Sequence, residues 1–284
     1  MGLGGYLTWT AAFHEIHKAT GKLCVPGEQY QTGFFAKSSP IFYNNPTVAS
    51  RADWSKPDYI NIAMNNPATN YCKHDSPERA IQCHDKHIIL QILEYYGLSN
   101  IKLEDVRCRL YLDPAETVDV DRLLALSGLS NKPFLTIESS SNTEYTVNKA
   151  YPHDKWQRVV DGLRATHHII QIGTKQVEKL EGVVDLRGQT TFRTAAGIIG
   201  RSKMFMSTEG GLVHAATAFD VPSLVVVTGF SHPNMTAYPA NTNLWIHGDH
   251  GPCGFKVKCQ ECWKHVCEHD PNEIIYKARK MLGE

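Results

Sequence analysis

The stretch from Met204 to Thr228, MFMSTEGGLVHAATAFDVPSLVVVT, leaves few folds open. It reads as strand, glycine turn, helix, loop and strand. The apolar run from Met204 to Ser207 is a short strand, and Glu209-Gly210-Gly211 breaks it. Leu212 to Phe219 is an alanine-rich helix able to lie close against a sheet, and Asp220-Val221-Pro222 ends it. SLVVVT is a continuous β-branched run, the mark of a buried parallel strand. A glycine pair opening a helix leaves backbone N–H groups and the positive end of the helix dipole facing a crevice, where a phosphate or carboxylate fits. His214, in the first turn, can point at the same place. An ordinary tight turn between strand and helix has the same sequence, so the surrounding chain decides between the two.

From Asn131 onward the pattern is regular. A strand over 134–137 ends in Glu138-Ser139-Ser140-Ser141, and a helix from His153 to Ala165 carries Trp156, Val159, Val160 and Leu163 on one face. A strand over 167–173, a short strand over 183–188 and a helix over 190–199 precede the opening stretch; a strand over 243–247 and an amphipathic helix over 271–282 follow it. Strands alternating with helices over short loops predict a parallel, doubly wound α/β sheet. Before residue 130 the pattern is looser. It predicts a helix from Leu7 to Lys18, a strand at 23–25, long loops with short helices over 26–58 and a strand from Tyr59 to Met64. A helix capped by Ser76-Pro77 and running through His87 to Tyr96, a strand over 106–112 and a helical segment from Asp113 to Ser130 follow. The 284 residues suffice for two Rossmann-like domains, 1–130 and 131–284, facing across a cleft. Gly2-Leu3-Gly4-Gly5 reads as a glycine loop opening the first helix. No strand precedes it, so either the fold lacks its first strand or the sequence start is truncated.

Lys+Arg and Asp+Glu both number 29, so the net charge is zero with histidine neutral, and no global basic field exists for nucleic acid or an anionic membrane. Any anion site is local. No apolar run reaches the roughly 20 residues that span a bilayer, and the start lacks the regions of a signal peptide; a cytoplasmic protein is expected. Of eight cysteines, four cluster as Cys253-x5-Cys259-x2-Cys262-x4-Cys267. In a cytoplasmic protein that clustering favours a metal over disulfides or free thiols. Four thiolates can wrap tetrahedrally around zinc or ferric iron, with His250, His265 and His269 as substitutes, which makes residues 250–268 a structural knuckle. His84 and His87 have i, i+3 spacing but no third ligand.

Three features converge on a phosphorylated ligand. The first is Glu209-Gly210-Gly211 with Leu212 and His214. The second is Ser139-Ser140-Ser141 at a strand exit with Lys149 beyond it, because open parallel sheets bind ligands at the carboxyl ends of their strands. The third is the run Gly2 to Gly5, whose glycines allow close approach. NKAYPHDKWQRVVDGL (148–163) together with STEGGLVHAATAFDVPSLVVVTG (207–229) resembles the C-terminal half of the heptosyltransferase-like glycosyltransferases of family 9, through Lys149, Trp156, Glu209, Gly210, Gly211, Leu212, His214 and Pro222. GLGGYLTWTAAF resembles that family's N-terminal loop and helix.

The resemblance implies a GT-B fold and inverting transfer of a heptose or hexose from a nucleotide-diphosphate sugar, without an obligatory metal. The acceptor would be a glycan, lipid-linked or protein hydroxyl, in surface-glycan or lipopolysaccharide assembly. It implies a donor site at Gly4, Gly5, Ser139, Ser140, Lys149, Glu209, Gly210, Gly211, Leu212 and His214, and some relatives carry iron in a cysteine knuckle. The family's usual N-terminal Gly-Asp supplies the proposed base; here Gly5 holds that position. His14 and Glu15 are the candidates to replace it, with Glu209 more plausibly holding sugar hydroxyls. The alternatives are a catalytically impaired nucleotide-sugar-binding protein or a GT-B nucleotide-sugar epimerase. A homo-oligomer is compatible with all of these.

Overall fold

A computed structural model describes residues 2–50, 58–70, 72–76, 78–82, 85–140, 145–249 and 251–284. The chain opens with α1 (Leu3–Thr20), whose C-terminal cap Gly21 takes the left-handed conformation that ends a helix (φ 71°). Strand β1 (Leu23–Tyr30) pairs antiparallel with β2 (Gly33–Ala36) and parallel with β3 (Tyr59–Ala63). Strands β4 (Cys72–Ser76) and β5 (Arg79–Gln82) form a separate antiparallel pair. Helices α2 (Ile88–Tyr95) and α3 (Pro114–Leu126) follow. The capping box between Asp113 and Glu116 starts α3.

The second half runs β6 (Phe134–Glu138), α4 (His153–Leu163), β7 (His168–Gln171), β8 (Val184–Asp185), α5 (Phe192–Ile199), β9 (Met204–Thr208), α6 (Gly211–Ala218), β10 (Ser223–Thr228), β11 (Thr242–Ile246), α7 (Gln260–Glu268) and α8 (Asn272–Leu282). Its six strands lie in the order β8-β7-β6-β9-β10-β11, and every pairing is parallel. The chain winds outward from β6 to β8, then returns to the centre at β9. The switch point therefore lies between β6 and β9, where doubly wound sheets bind their ligands.

Period-2 alternation sorts the strand residues onto two faces. Leu135, Ile137, Ile169, Met204, Met206, Leu224 and Val226 pack with Trp156, Val159 and Val160 of α4 and Ile274 and Ala278 of α8. Phe134, Ile170, Phe205, Val225 and Val227 join the opposite core, which takes in α5, α6 and most buried residues of the N-terminal half, including Trp9 and Phe13 of α1. Residues before and after 130 thus share one continuous core on that face. Arg193 of α5 ties them together: it pairs with Glu116 of α3 at 2.5 Å and donates to the carbonyls of Pro40 and Tyr111.

The N-terminal half departs from the sequence expectation in four places. The loops expected over 26–58 include the β1–β2 hairpin, because Pro26 and Gly27 interrupt the alternation that marks a strand. Ser76 ends β4 rather than capping a helix; Pro77 lies outside the described residues, and α2 begins at Ile88 with His87 as its cap. Residues 106–112 bury Val106, Cys108 and Leu110 on alternate positions as a strand would, yet form no ladder with any of the described residues. They lie extended, with the Arg109 N–H on Thr10 Oγ1 of α1. Gly4 and Gly5 are not a loop: Gly2 is the N-cap and both lie in the first turn of α1.

Replacing Glu116 with alanine strands the buried Arg193 guanidinium. The variant should lose about 3–4 kcal/mol of unfolding free energy in urea titrations at pH 7.

Candidate functional site

The switch point carries the polar residues expected of a ligand site. Glu209 follows β9 and is 9% exposed. Burial alone would raise its carboxyl, but the Lys149 ammonium 2.8 Å away and the Ser231 hydroxyl at 2.8 Å outweigh that effect and hold it below the ordinary carboxylate range. Lys149 reaches it from the segment after β6, and its Nζ lies 5.2 Å from the centre of the Phe230 ring. Two of the three lysine N–H bonds remain for another acceptor.

Gly210 caps α6 without a side chain, so the first N–H groups of that helix have no side-chain acceptor at the cap. The first turn of α1 lies against them. A methyl group on Gly4 would stand 2.6 Å from Gly211 Cα and 3.3 Å from His214 Cδ2. The two helix starts, each the positive end of its dipole, touch beside the Lys149–Glu209 pair. His214 is buried and its Nδ1 shares a hydrogen bond of 2.7 Å with the Tyr238 hydroxyl, which also meets Cys108 Sγ at 3.1 Å. Burial lowers the His214 imidazole to about 4, so at neutral pH it offers a hydrogen bond and no charge. Leu212 packs into the core. Ser139 faces inward and accepts from Gln171 Nε2 at 3.0 Å; Ser141 lies outside the described residues.

His14 and Glu15 are not brought to this place. They follow Gly4 by ten and eleven residues on α1, about 15 Å along the helix. His14 packs near Arg109, and Glu15 pairs with Lys18 at 3.9 Å. Glu138, which sequence reading did not single out as a site residue, ends β6 on the other flank of the switch point. Ser207 of β9 donates to its Oε2 at 3.0 Å, and burial pushes its carboxyl up to about 7. Its signal was available: an acidic residue closing a buried apolar strand. Tyr238, Ser231 and Asn148 gave no such signal, because their partners are distant in sequence.

The cysteine cluster forms a second centre. The Sγ atoms of Cys253, Cys259 and Cys262 lie within 4.8 Å of one another. Around one tetrahedral metal, thiolates stand roughly 3.8 Å apart, so a small contraction closes the three on an ion. The Cys262 thiol hydrogen-bonds Cys253 and lowers it to about 6, while Cys262 is pushed up; the pair shares a proton that a metal would displace. Cys267 is not part of the group. It follows Cys262 by five residues on α7, roughly 140° around the helix, and is exposed. His269 is engaged by Tyr151 at 2.9 Å, whereas His265 borders Gly248, which lines the same cleft as the three thiols. His250, His84 and Cys83 lie outside the described residues.

The sequence profile of glycosyltransferase family 9 (heptosyltransferase) matches residues 96–267, more than half of the chain. The chain belongs to glycosyltransferase family 9. A family 9 glycosyltransferase from Veillonella parvula superposes with a TM-score of 0.71 at 13% identity, over 99% of this chain and 94% of that one. The iron-containing dodecameric glycosyltransferase TibC from enterotoxigenic E. coli superposes with a TM-score of 0.65 at 15% identity, over 99% of this chain and 75% of that one. A structure of TibC in complex with ADP-D-beta-D-heptose gives a TM-score of 0.63 at 14% identity, over 99% and 74% of the two chains. No curated protein sequence matches the chain. The architecture is the GT-B fold, with its parallel six-stranded sheet in the C-terminal half and a smaller mixed sheet in the N-terminal half. Among the described residues, no helix is long and apolar enough to cross a membrane.

Native Glu138 keeps a proton that the unfolded chain loses between about pH 4.5 and 7, so its contribution to stability falls as pH rises through that window. Glu138→Gln lacks this fall and should gain about 2–3 kcal/mol on wild type between pH 5 and pH 8 in chemical denaturation. At the thiol centre, Cys259→Ser should lower the bound metal measured by elemental analysis at least about tenfold, and Cys267→Ser should leave it unchanged.

Proposed function

We propose that this glycosyltransferase moves a sugar from a nucleotide-diphosphate donor to an acceptor hydroxyl with inversion at the anomeric carbon. The observation that carries this reading is the buried Lys149–Glu209 pair beside the touching first turns of α1 and α6. A diphosphate placed there meets the free N–H groups of two helix starts and the remaining Lys149 donors. As the bond between the anomeric carbon and the diphosphate oxygen breaks, its electrons pass to the diphosphate, and these fixed dipoles stabilise the charge that develops. Glu209, ionised and oriented by Lys149 and Ser231, suits a hydrogen-bond acceptor for ribose or sugar hydroxyls. His214, neutral and steadied by Tyr238, suits a phosphate contact.

Gly5 holds the position of the family's usual carboxylate base, and His14 and Glu15 lie about three turns away along α1. We assign the base to Glu138. It flanks the switch point, and its near-neutral carboxyl has the strength to accept the acceptor's proton as the new glycosidic bond forms. TibC binds ADP-D-beta-D-heptose, which makes an ADP-heptose the first donor to try. Residues 1–130 would receive the acceptor and residues 131–284 hold the donor. Cys253, Cys259 and Cys262 would hold zinc or iron as a structural crosslink; TibC is described as iron-containing. A catalytically impaired nucleotide-sugar binder is the reading favoured by Gly5.

Thermal stabilisation by a panel of ADP-, UDP- and GDP-sugars tests the binding step. At least one donor should raise the midpoint, and Lys149→Ala should weaken that donor at least about tenfold and lower kcat/KM by roughly 100-fold. Stabilisation by none of the panel overturns the proposal. Binding without transfer to any acceptor or to water leaves the impaired binder.

A further inference from the structure

Asn148 stands between the cysteine centre and Lys149. Its side chain is buried, 5% exposed, and both amide protons and the amide oxygen are engaged. The two Nδ2 protons go to the carbonyls of Phe255 and Val257 at 2.7 Å each, and Oδ1 accepts the N–H of Cys259 at 2.8 Å. These acceptors and this donor belong to the loop between Cys253 and Cys259. Thr146 reinforces the junction: its Oγ1 donates to the Phe255 carbonyl at 2.9 Å and accepts the Asn148 N–H at 3.1 Å. Thr228, the last residue of β10, donates to the Asn148 carbonyl at 2.6 Å. The residue before Lys149 is therefore pinned to the sheet through its backbone and to the cysteine loop through its amide.

The same loop steadies the other member of the ion pair. The Cys253 N–H donates to the Gly229 carbonyl at 2.8 Å and the Gly254 N–H to the Phe230 carbonyl at 3.2 Å. Phe230 packs with Cys253 and Cys262, and a methyl group on Gly229 would stand 2.9 Å from Cys262 Sγ. Ser231, next in the chain, holds Glu209. Lys149 and the hydroxyl that orients Glu209 each lie one residue beyond a segment bonded to the cysteine loop.

We propose that Asn148 is a positioning residue through which the closed thiol centre holds Lys149 opposite Glu209, so that metal at Cys253, Cys259 and Cys262 tightens the binding of a nucleoside diphosphate. The proposal rests on the donor-site reading of Lys149 given above. Closing the thiols on an ion fixes the loop that carries the Phe255 and Val257 carbonyls and the Cys259 N–H. Opening them releases those partners and lets the start of the Lys149 side chain shift. Such outer residues around metal centres commonly carry roughly 10- to 100-fold in affinity or activity. The coupling acts in both directions, so the nucleotide also retains the metal.

The test uses the full chain as wild type, Asn148→Asp and Asn148→Ala. Asn148→Asp keeps the shape and the acceptor for Cys259 but turns a carboxylate on two carbonyls. Calorimetry measures ADP, UDP and GDP affinity with metal present and after chelation, beside elemental analysis, thermal midpoints and the half-time of metal loss to a chelator. Asn148→Asp should retain its metal as purified yet bind the preferred diphosphate roughly 10-fold more weakly. Chelation should weaken wild type by a similar factor and weaken the variant by less than about twofold further, the non-additivity of two changes in one path. Wild-type affinity in both Asn148 variants, or losses that multiply to roughly 100-fold, overturns the proposal. A lowered midpoint with unchanged affinity also overturns it, leaving Asn148 as a brace of the fold. If wild type binds none of the three diphosphates, the donor-site reading fails by itself, and the clamp is read from the metal side. There both variants should lose metal roughly 10-fold faster than wild type, and equal rates reject the clamp.

Discussion

The ion pair between Lys149 and Glu209 is the interaction on which the C-terminal half of the molecule turns. Its side chains are only 18% and 12% exposed, so each charge has surrendered most of its water. A pair buried this far gains little net stability, whereas breaking it would leave a stranded charge at a cost of several kcal/mol. The pair is thus poorly explained as a strut and well explained as part of a site. Its two residues leave the strands on either side of the switch point, β6 and β9, and neither strand alone fixes their distance. That distance is set by Ser231 and Phe230 on one side and by the segment at Asn148 on the other.

The N-terminal half supplies a wall rather than a second copy of the large sheet. Among the described residues its parallel pairing joins β1 to β3 and adds a single bridge from Cys24 to Val48, and its core continues into the face formed by α5 and α6. Helix α1 can lie on α6 because Gly4 faces Gly211, and a side chain on Gly4 would stand 2.6 Å from the Gly211 Cα and force the helices apart. The extended segment over 106–112 fills the space beside α1, and Arg193 bonds the two halves from beneath. This packing closes one side of the ion-pair site with helix backbone. It lowers the local dielectric, which strengthens the attraction of both helix starts for an anion.

The parts of this arrangement written in local sequence were legible. The β-branched run at β10, the Gly-Gly break before α6 and the single apolar face of α4 each follow from short-range periodicity, and the structure contains all three. The parts decided by distant partners were not. Residues 106–112 alternate as a strand does, but the Arg109 N–H goes to Thr10 in α1 and no strand among the described residues pairs with them. Gly2 to Gly5 read as a loop because glycine disfavours helix interiors; the contact with α6 gives Gly4 its reason inside a first turn. Cys267 fits the spacing of a four-thiolate knuckle until α7 is known to be helical, at which point the helix turns it away from Cys262. Asn148 looks like any loop asparagine, and its importance lies in bonds to residues more than 100 positions away.

The glycine at position 5 changes the chemistry open to this site. A carboxylate there would sit in the first turn of α1, where the helix dipole favours the ionised form and lowers its pKa. Such a group is ionised over most of the pH range but accepts a proton weakly. Glu138 is the reverse case: burial at the end of β6 raises its carboxyl to about 7, which makes it the stronger base and leaves it only partly ionised at neutral pH. If the proton goes to Glu138, the acceptor hydroxyl must enter from the sheet side of the crevice, between the end of β6 and the first turn of α1. Turnover would then follow the ionisation of one buried carboxyl and rise through neutral pH, where a carboxylate at a helix start would give a flat profile. Glycine at position 5 of α1 is in this way compatible with catalysis, provided the strand end takes over the proton.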